Sequence, residues 1–297
     1  MIAFVFPGQG SQQQGMGKDL YDKFDVARGM FDKANRILGF DLTNIMFYGS
    51  DDELKHTRVT QPSVFLVSVI LAEILSSNIK PDMVAGHSLG EFSALVANKT
   101  LSFEDGLKLV YHRATAMQKA CDKNPSSMAA ILNVDDNVIE DVCKCIDDDI
   151  VVIANYNTHG QTVISGTFSG IERALAKFNE MGYRRTIQLK VGGAFHSPLM
   201  ESAHEELEKA IFNSSFHSPI CPIYQNINSF SNINNEEIKL NLVRQLTSPV
   251  LWKQSVERMI ADGATQFIEV GNGSVLQGLI KKINSSVIVT GTEQYLK

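Results

Sequence analysis

Apolar positions along this chain follow two rhythms that alternate from one end to the other. Short apolar runs predict strands over Ile2 to Phe6, Met83 to Ala85, Gln266 to Val270 and Val287 to Val289. Between them apolar residues recur at three- and four-residue spacing, as on one face of a helix. Leu89, Phe92, Leu95 and Val96 make one such face, and Leu107, Val110, Tyr111, Ala114 and Met117 another. The second helix opens at Ser102 with Glu104 and Asp105 in its first turn, where they satisfy free N–H groups. Gly271-Asn272-Gly273 turns the chain from the strand at Gln266 into a helix over Val275 to Ile283. Val64 to Leu75 is apolar apart from Ser68 and Glu73 and predicts a buried helix. It falls short of the ~20 residues that cross a bilayer. Strand alternating with helix predicts an α/β fold with a parallel sheet.

The middle of the chain keeps a different order. Met128 to Val134 predicts a strand, and Val138, Ile139, Val142 and Ile146 mark a helix. Ile150 to Ala154 and Gln161 to Ser165 predict two strands, with Asn157-Thr158-His159-Gly160 as the turn. Ile171, Leu175, Phe178 and Met181 mark a second helix, stopped by Gly182, and Thr186 to Val191 alternates as a half-buried strand does. This βαββαβ order is the ferredoxin-like unit. It predicts a small domain at residues 125–191, inserted in a large α/β domain built from 1–124 and 192–297. A cleft between two such domains is a natural ligand site.

Composition narrows the function classes. The 297 residues are 44% hydrophobic and 20% charged, ample for a sizeable core. A net charge of -6 argues against a general nucleic-acid binder, while leaving room for a local basic surface. Cys121, Cys143, Cys145 and Cys221 show neither a CxxC pair nor zinc spacing, and read as reduced thiols of a cytoplasmic protein. The first residues lack the basic start and cleavage site of a signal peptide. Neither a membrane partner nor a bound metal is expected. Gly8-Gln9-Gly10 has Gln13 where a dinucleotide fingerprint needs its third glycine, so no nucleotide cofactor is expected either.

The chemistry gathers around Gly86-His87-Ser88-Leu89-Gly90-Glu91, which fits the G-x-S-x-G nucleophile elbow with a strand before it and a helix after it. A turn this tight exposes the Ser88 hydroxyl, needs glycine where backbones crowd, and frees the Leu89 amide to hold an oxyanion. The hydroxyl needs a base. His87 is adjacent and points away, as a packed or elbow-supporting residue would. His56, His112, His159, His204 and His217 carry no catalytic context. His196 follows a predicted strand and precedes a helical pattern, where open α/β sheets build their sites.

Three segments together resemble one family. Phe6-Pro7-Gly8-Gln9-Gly10-Ser11-Gln12, the Ser88 elbow, and Gly193-Ala194-Phe195-His196-Ser197-Pro198-Leu199-Met200 are similar in order and spacing to malonyl-CoA:acyl carrier protein transacylases. The resemblance covers essentially the whole chain and implies a hydrolase-like α/β core with a ferredoxin-like insertion. It implies that Ser88 carries the malonyl group as an ester and that His196 shuttles the proton. The Gln9 and Leu89 amides would form the oxyanion hole. Gln245 would support the histidine through a carbonyl, in place of an acidic triad member. Arg113, in Tyr111-His112-Arg113-Ala114-Thr115-Ala116-Met117-Gln118, resembles the family's grip on the malonyl carboxylate. Met117, Phe195, Asn155 and Asn157 match substrate-binding positions, and Phe195 and Leu89 fit malonyl better than methylmalonyl. Arg184, Arg185, Lys281 and Lys282 match positions that dock the acidic carrier protein. Coenzyme A would be substrate and product rather than a resident cofactor. Gly271-Asn272-Gly273 departs from the proline common in relatives, away from the chemistry.

Other readings share parts of this pattern. A serine hydrolase uses the same elbow with water as acceptor, but Arg113, the Gln9 loop and the lack of an evident acidic triad member count against it. A non-catalytic scaffold has no use for Ser88 and His196 together. An acyltransferase of other acyl preference usually lies inside a much longer chain, whereas this one spans the fold from first strand to last. That length favours a discrete enzyme of fatty acid synthesis.

Overall fold

Ile2–Phe6 (β1) is buried on both faces, and this dictates its place at the centre of a sheet. The structure, a computed structural model, describes residues 1–296. After β1 come β2 (Met83–Gly86), β3 (Ser126–Leu132), β4 (Val151–Thr158), β5 (Gln161–Thr167) and β6 (Thr186–Gln188). Then follow β7 (Ile223–Tyr224), β8 (Ser231–Asn232), β9 (Gln266–Glu269) and β10 (Ile288–Thr290). They form two sheets. The larger runs β10-β9-β1-β2-β7-β8 and the smaller β4-β5-β3-β6. β1 pairs parallel with both β2 and β9, in the registers Phe6↔Gly86 and Val5↔Glu269. Only the edge strand β8 is antiparallel in the large sheet, and the small sheet is antiparallel throughout. The fold is therefore mixed α/β.

Each sheet has its own apolar packing. Phe4, Phe6, Phe31, Phe65 and Phe92 belong to one buried cluster on the large sheet; Val5, Trp252, Phe267 and Ile280 belong to a second. Ile131, Ile139, Ile164, Ile171 and Phe178 form a third, between the small sheet and the helices Asp136–Lys144 and Phe168–Glu180.

Most boundaries shift by a residue or two from the sequence expectation, and three differences matter more. The helix read from Val64 begins at Thr57 and runs through Pro62 to Leu75. It is long and apolar enough to cross a membrane, yet 83% of it is buried inside the fold, because helices pack around its whole circumference. The strand expected over Thr186 to Val191 stops at Gln188. Leu189 still donates to Met128 O, but Leu189 and Val191 turn inward to line the cleft. The turn expected at Asn157 is shorter. β4 continues to Thr158 through two register shifts, and only His159-Gly160 link it to Gln161. The shifts aim Asn157 back toward the large sheet, where it meets His87.

The turn after β2 is the tightest point of the fold. A Cβ on Gly86 would lie 1.9 Å from the backbone of Gly90, and one on Gly90 would lie 2.0 Å from Phe6 O. Gly29, exposed in the helix Asp25–Leu38, meets nothing within 4 Å. Gly86→Ala should therefore cost about 3 kcal/mol or more, a fall in Tm of roughly 6–12 °C. Gly29→Ala should raise stability by about 0.5–1 kcal/mol. Thermal unfolding of the two variants beside the parent checks both signs.

Candidate active site

Ser88 stands between β2 and the helix Gly90–Ala97 with a left-handed backbone, φ 52°. His196 faces it with φ 57°, also left-handed. Such a conformation in a residue other than glycine costs on the order of 1–3 kcal/mol and persists only where surroundings over-determine it. Around Ser88 they do. Its amide donates to Asn226 Oδ1 at 2.7 Å, and its carbonyl accepts from Gln245 Nε2 at 3.0 Å. The His196 loop is anchored by Ala194 N–H donating to Ser126 Oγ at 2.8 Å and by Ser197 Oγ–H donating to Ala194 O at 2.6 Å.

The two side chains meet. Ser88 Oγ–H donates to His196 Nε2 at 2.8 Å. On the other side of the ring, Nδ1 lies 2.9 Å from Gln245 O and 3.1 Å from Ser248 O. Both are acceptors only, so Nδ1 must carry the proton and Nε2 must present its lone pair to the hydroxyl. The ring is buried. Burial, and then the nearby Arg113 cation, push its pKa down to about 3. Neutral imidazole in the correct tautomer is thus the resting state, as general-base chemistry at a hydroxyl requires.

Arg113 comes from the long helix Phe103–Lys123 and is almost wholly buried. Its Nη2 donates to Ser88 Oγ at 3.0 Å and to Gln245 Oε1 at 3.2 Å, and its Nη1 to Gln61 Oε1 at 2.8 Å. Burial lowers its pKa to about 10, still cationic at neutral pH, with Glu91 opposing the shift. A cation on the attacking oxygen favours alkoxide character, and a guanidinium among the lining of a cavity suits a carboxylate.

A cavity of about 130 Å³ opens over these groups, lined among others by Gln9, Leu89, Met117, Asn155 and Phe195. Neither the Gln9 nor the Leu89 backbone N–H has an acceptor among the described residues. A second cavity of about 230 Å³ shares Gln9, His87, Asn155 and Leu189 with the first and continues past Asn157, Gln161, Val275 and Leu279. Together they make a passage from the protein surface to Ser88. Asn157 Oδ1 accepts from His87 Nε2 at 2.8 Å, so it braces the elbow instead of standing free. Arg184, Arg185, Lys281 and Lys282 are exposed. Arg185 O accepts from Leu132 N, and Leu132 is in register with Gln161, so Arg185 sits at the end of the small sheet where the passage opens. Lys282 shares a helix face with Val275 and Leu279, whereas Lys281 lies on the neighbouring face. Among the described residues, no three His, Cys, Asp or Glu side chains gather as a metal site.

Several buried polar groups at the site were not evident from the sequence. Glu91 accepts from Asn226 N and Gln245 Nε2, both at 2.9 Å, and Asn226 Nδ2 donates to Gly86 O at 2.7 Å. Gln61 holds Arg113 from a helix start hidden by Pro62. Glu91 had one available signal, a carboxylate directly before the apolar run Phe92-Ser93-Ala94-Leu95-Val96. Asn226 had none, since its partner Ser88 is 138 residues away.

A serine in an elbow, hydrogen-bonded to a tautomer-locked histidine on an α/β fold, is an arrangement suited to nucleophilic acyl transfer. The acyl transferase domain family matches residues 3–293, and the chain belongs to that family. It is 41% identical over 286 residues to the malonyl CoA-acyl carrier protein transacylase of Bacillus subtilis, covering 95% of this chain and 90% of that protein. The crystal structure of the Streptococcus pneumoniae protein titled MCAT superposes with a TM-score of 0.93 at 39% identity, over 98% of this chain and 95% of that one. A type II PKS acyl-carrier protein in complex with its malonyl-transacylase contains a similar chain, with TM-score 0.93 and 35% identity, covering 98% and 94% of the two.

The low pKa of His196 sets a pH expectation. Unfolded, the imidazole takes up a proton near pH 6.5; folded, it resists until about pH 3. Between these values the unfolded state binds more protons, so stability falls as pH drops through this window. In an NMR titration, the His196 Cε1–H resonance, assigned by its loss in His196→Gln, should hold steady from pH 8 to pH 5. A midpoint near 6.5 would show that the ring is not buried neutral.

Proposed function

We propose that this acyl transferase moves a malonyl group from malonyl-CoA to the phosphopantetheine thiol of an acyl carrier protein, through a malonyl ester on Ser88. One observation carries the reading. A buried guanidinium with no direct acidic partner among the described residues donates to the attacking oxygen itself, Arg113 Nη2 to Ser88 Oγ at 3.0 Å. Malonyl thioesters place a carboxylate two bonds from the carbonyl carbon under attack, within reach of the same guanidinium. A neutral acyl group has no carboxylate to pair with it.

The geometry supports the following steps. Ser88 Oγ attacks the thioester carbonyl while His196 Nε2 takes its proton. The Gln9 and Leu89 N–H groups hold the oxyanion; losing one such donor typically costs about 3–4 kcal/mol. The C–S bond breaks, His196 returns the proton to the coenzyme A thiolate, and coenzyme A leaves. The carrier-protein thiol then enters, gives its proton to His196 and attacks the ester, and Ser88 leaves with that proton. Gln245 supports the histidine through its carbonyl. Met117, Phe195, Asn155 and Asn157 shape the pocket, Phe195 by crowding a 2-methyl group, which is worth about 1–3 kcal/mol of discrimination. Side chains and two backbone amides carry every step, with malonyl-CoA and coenzyme A as substrate and product and no resident cofactor.

The same reading extends to architecture and setting. The small sheet order β4-β5-β3-β6, with two helices on one face and its own apolar cluster, supports a ferredoxin-like insertion at 125–191 in a hydrolase-like core of 1–124 and 192–297. The four cysteines are unpaired, which fits work in the cytoplasm. Arg184, Arg185, Lys281 and Lys282 would steer the acidic carrier protein to the passage, with Arg185 and Lys282 nearest its mouth. Charge reversal at Arg185 and Lys282 should slow transfer to the carrier protein at low salt and leave transfer to pantetheine unchanged. Equal rates with both acceptors in variant and parent would remove the patch from the reading.

Intact mass tests the chemistry. Malonyl-CoA should add one malonyl group to the parent and none to Ser88→Ala; an unchanged parent mass sinks the reading. In Arg113→Ala the malonyl carboxylate would be buried unpaired, so the ratio of malonyl to acetyl labelling should fall by about tenfold or more. Equal loss of both labels assigns Arg113 a structural role.

A further inference from the structure

Glu91 is a fully buried carboxylate to which the acyl-transfer steps assign no task. Its Oε1 accepts from Gln225 Nε2 at 2.9 Å, and its Oε2 from Asn226 N and Gln245 Nε2, each at 2.9 Å. Among the described residues it has no direct cationic partner; burial pushes its pKa up, and the donors Asn226, Gln225 and Gln245, with the field of Arg113, oppose that rise. The side-chain amide of Gln245 stands between the two. Its Nε2 donates to Glu91, while its Oε1 accepts from Arg113 Nη2 at 3.2 Å. Arg113 is as deeply buried as Glu91, and its Nε–H finds no acceptor.

A buried guanidinium with no counter-charge is strongly destabilising. A buried guanidinium paired directly with a carboxylate makes two parallel hydrogen bonds and fills its own binding edge. An amide spacer avoids both. Its dipole lies aligned between cation and carboxylate, so the field of Glu91 reaches Arg113, and it leaves the arginine fork without an acid of its own.

We propose that Glu91 is a specificity-determining positioning residue, keeping Arg113 cationic through Gln245 while leaving the guanidinium open to the carboxylate of the substrate. This rests on the malonyl-transfer reading above. A purely structural Glu91, holding the elbow through Asn226, would affect every acyl group alike.

Two measurements test it. In the first, Glu91→Gln is combined with Gln245→Glu. The two side chains are transposed, net charge is kept, and the carboxylate now lies against Arg113. Loss of the amide donor to Ser88 O slows all acyl groups alike and cancels in a ratio. Malonyl relative to acetyl labelling of Ser88 should fall by about tenfold or more; an unchanged ratio overturns the proposal. The second is a double-mutant cycle on Tm with Glu91→Gln, Arg113→Met and the pair, in the absence of acyl-CoA. The pair should lose clearly less stability than the sum of the singles, or regain solubility where Glu91→Gln alone is insoluble. Additive losses, or no rescue of an insoluble Glu91→Gln, overturn it. The cycle needs no activity, so its outcome is separate from any failure of the malonyl reading.

Discussion

Everything at the site hangs on how closely the turn after β2 approaches β1. Gly90 lies so near Phe6 O that a methyl group cannot be placed between them, and Gly86 lies equally near Gly90. His87 N donates to Phe6 O at 2.9 Å across the same gap. This contact brings the end of β1, with Gln9 just beyond it, beside the elbow. Gln9 and Leu89, which both line the cavity, then follow two adjacent strands held at one fixed separation. The left-handed backbone at Ser88 follows from the same constraint, since the chain must reverse from strand to helix within a few residues.

The strain of that reversal is held by buried polar groups more than by apolar packing. Asn226 bridges the elbow, accepting from Ser88 N and donating to Gly86 O. Gln225 in turn receives Asn241 and Asn232 at its carbonyl oxygen. Networks of this kind stabilise only when nearly every member is paired. Gln245 is the most connected member. Its backbone carbonyl orients His196, its amide nitrogen reaches Ser88 O and Glu91, and its amide oxygen receives Arg113. Ser88, His196 and Arg113 therefore share one reference point, and a shift of that residue would move all three together.

The cleft depends on contacts that cross between the two sheets. His87 of the elbow donates to Asn157 of β4, Ala194 of the histidine loop donates to Ser126 at the start of β3, and Lys253 pairs with Asp136. Val250 accepts from Tyr156 and donates to Ala154, tying β4 to the loop just past Ser248, whose carbonyl faces His196. The small sheet thus forms one wall of the passage and also fixes where the base can stand.

The local features were legible in the sequence because their causes are local. Gly86 and Gly90 flank Ser88 at a spacing whose steric reason is the turn itself, and the apolar period after Ser102 fixes the face of the helix that carries Arg113 and Met117. The motif order brought His196, Gln9 and Gln245 forward as partners of Ser88; His196 and Gln9 line the cavity over Ser88, while Gln245 lies buried behind the His196 ring. Boundaries were misread where tertiary packing overrode propensity. Pro62 hid a helix start that its surroundings largely bury, and Asn157 looked like a turn residue until a bulged strand aimed it at His87. Residues that act through distant partners left no mark in the sequence. Asn226, Gln61 and Ser248 are ordinary polar residues until folding lowers the dielectric around them and leaves each one obliged to find a hydrogen bond. The sequence by itself determined most of the elements and the elbow, because periodicity and backbone sterics are properties of neighbouring residues. Only the tertiary structure decided the tautomer of His196, the charge environment of Arg113 and the linkage through Gln245, because desolvation and hydrogen bonding depend on groups that are neighbours in space and not along the chain.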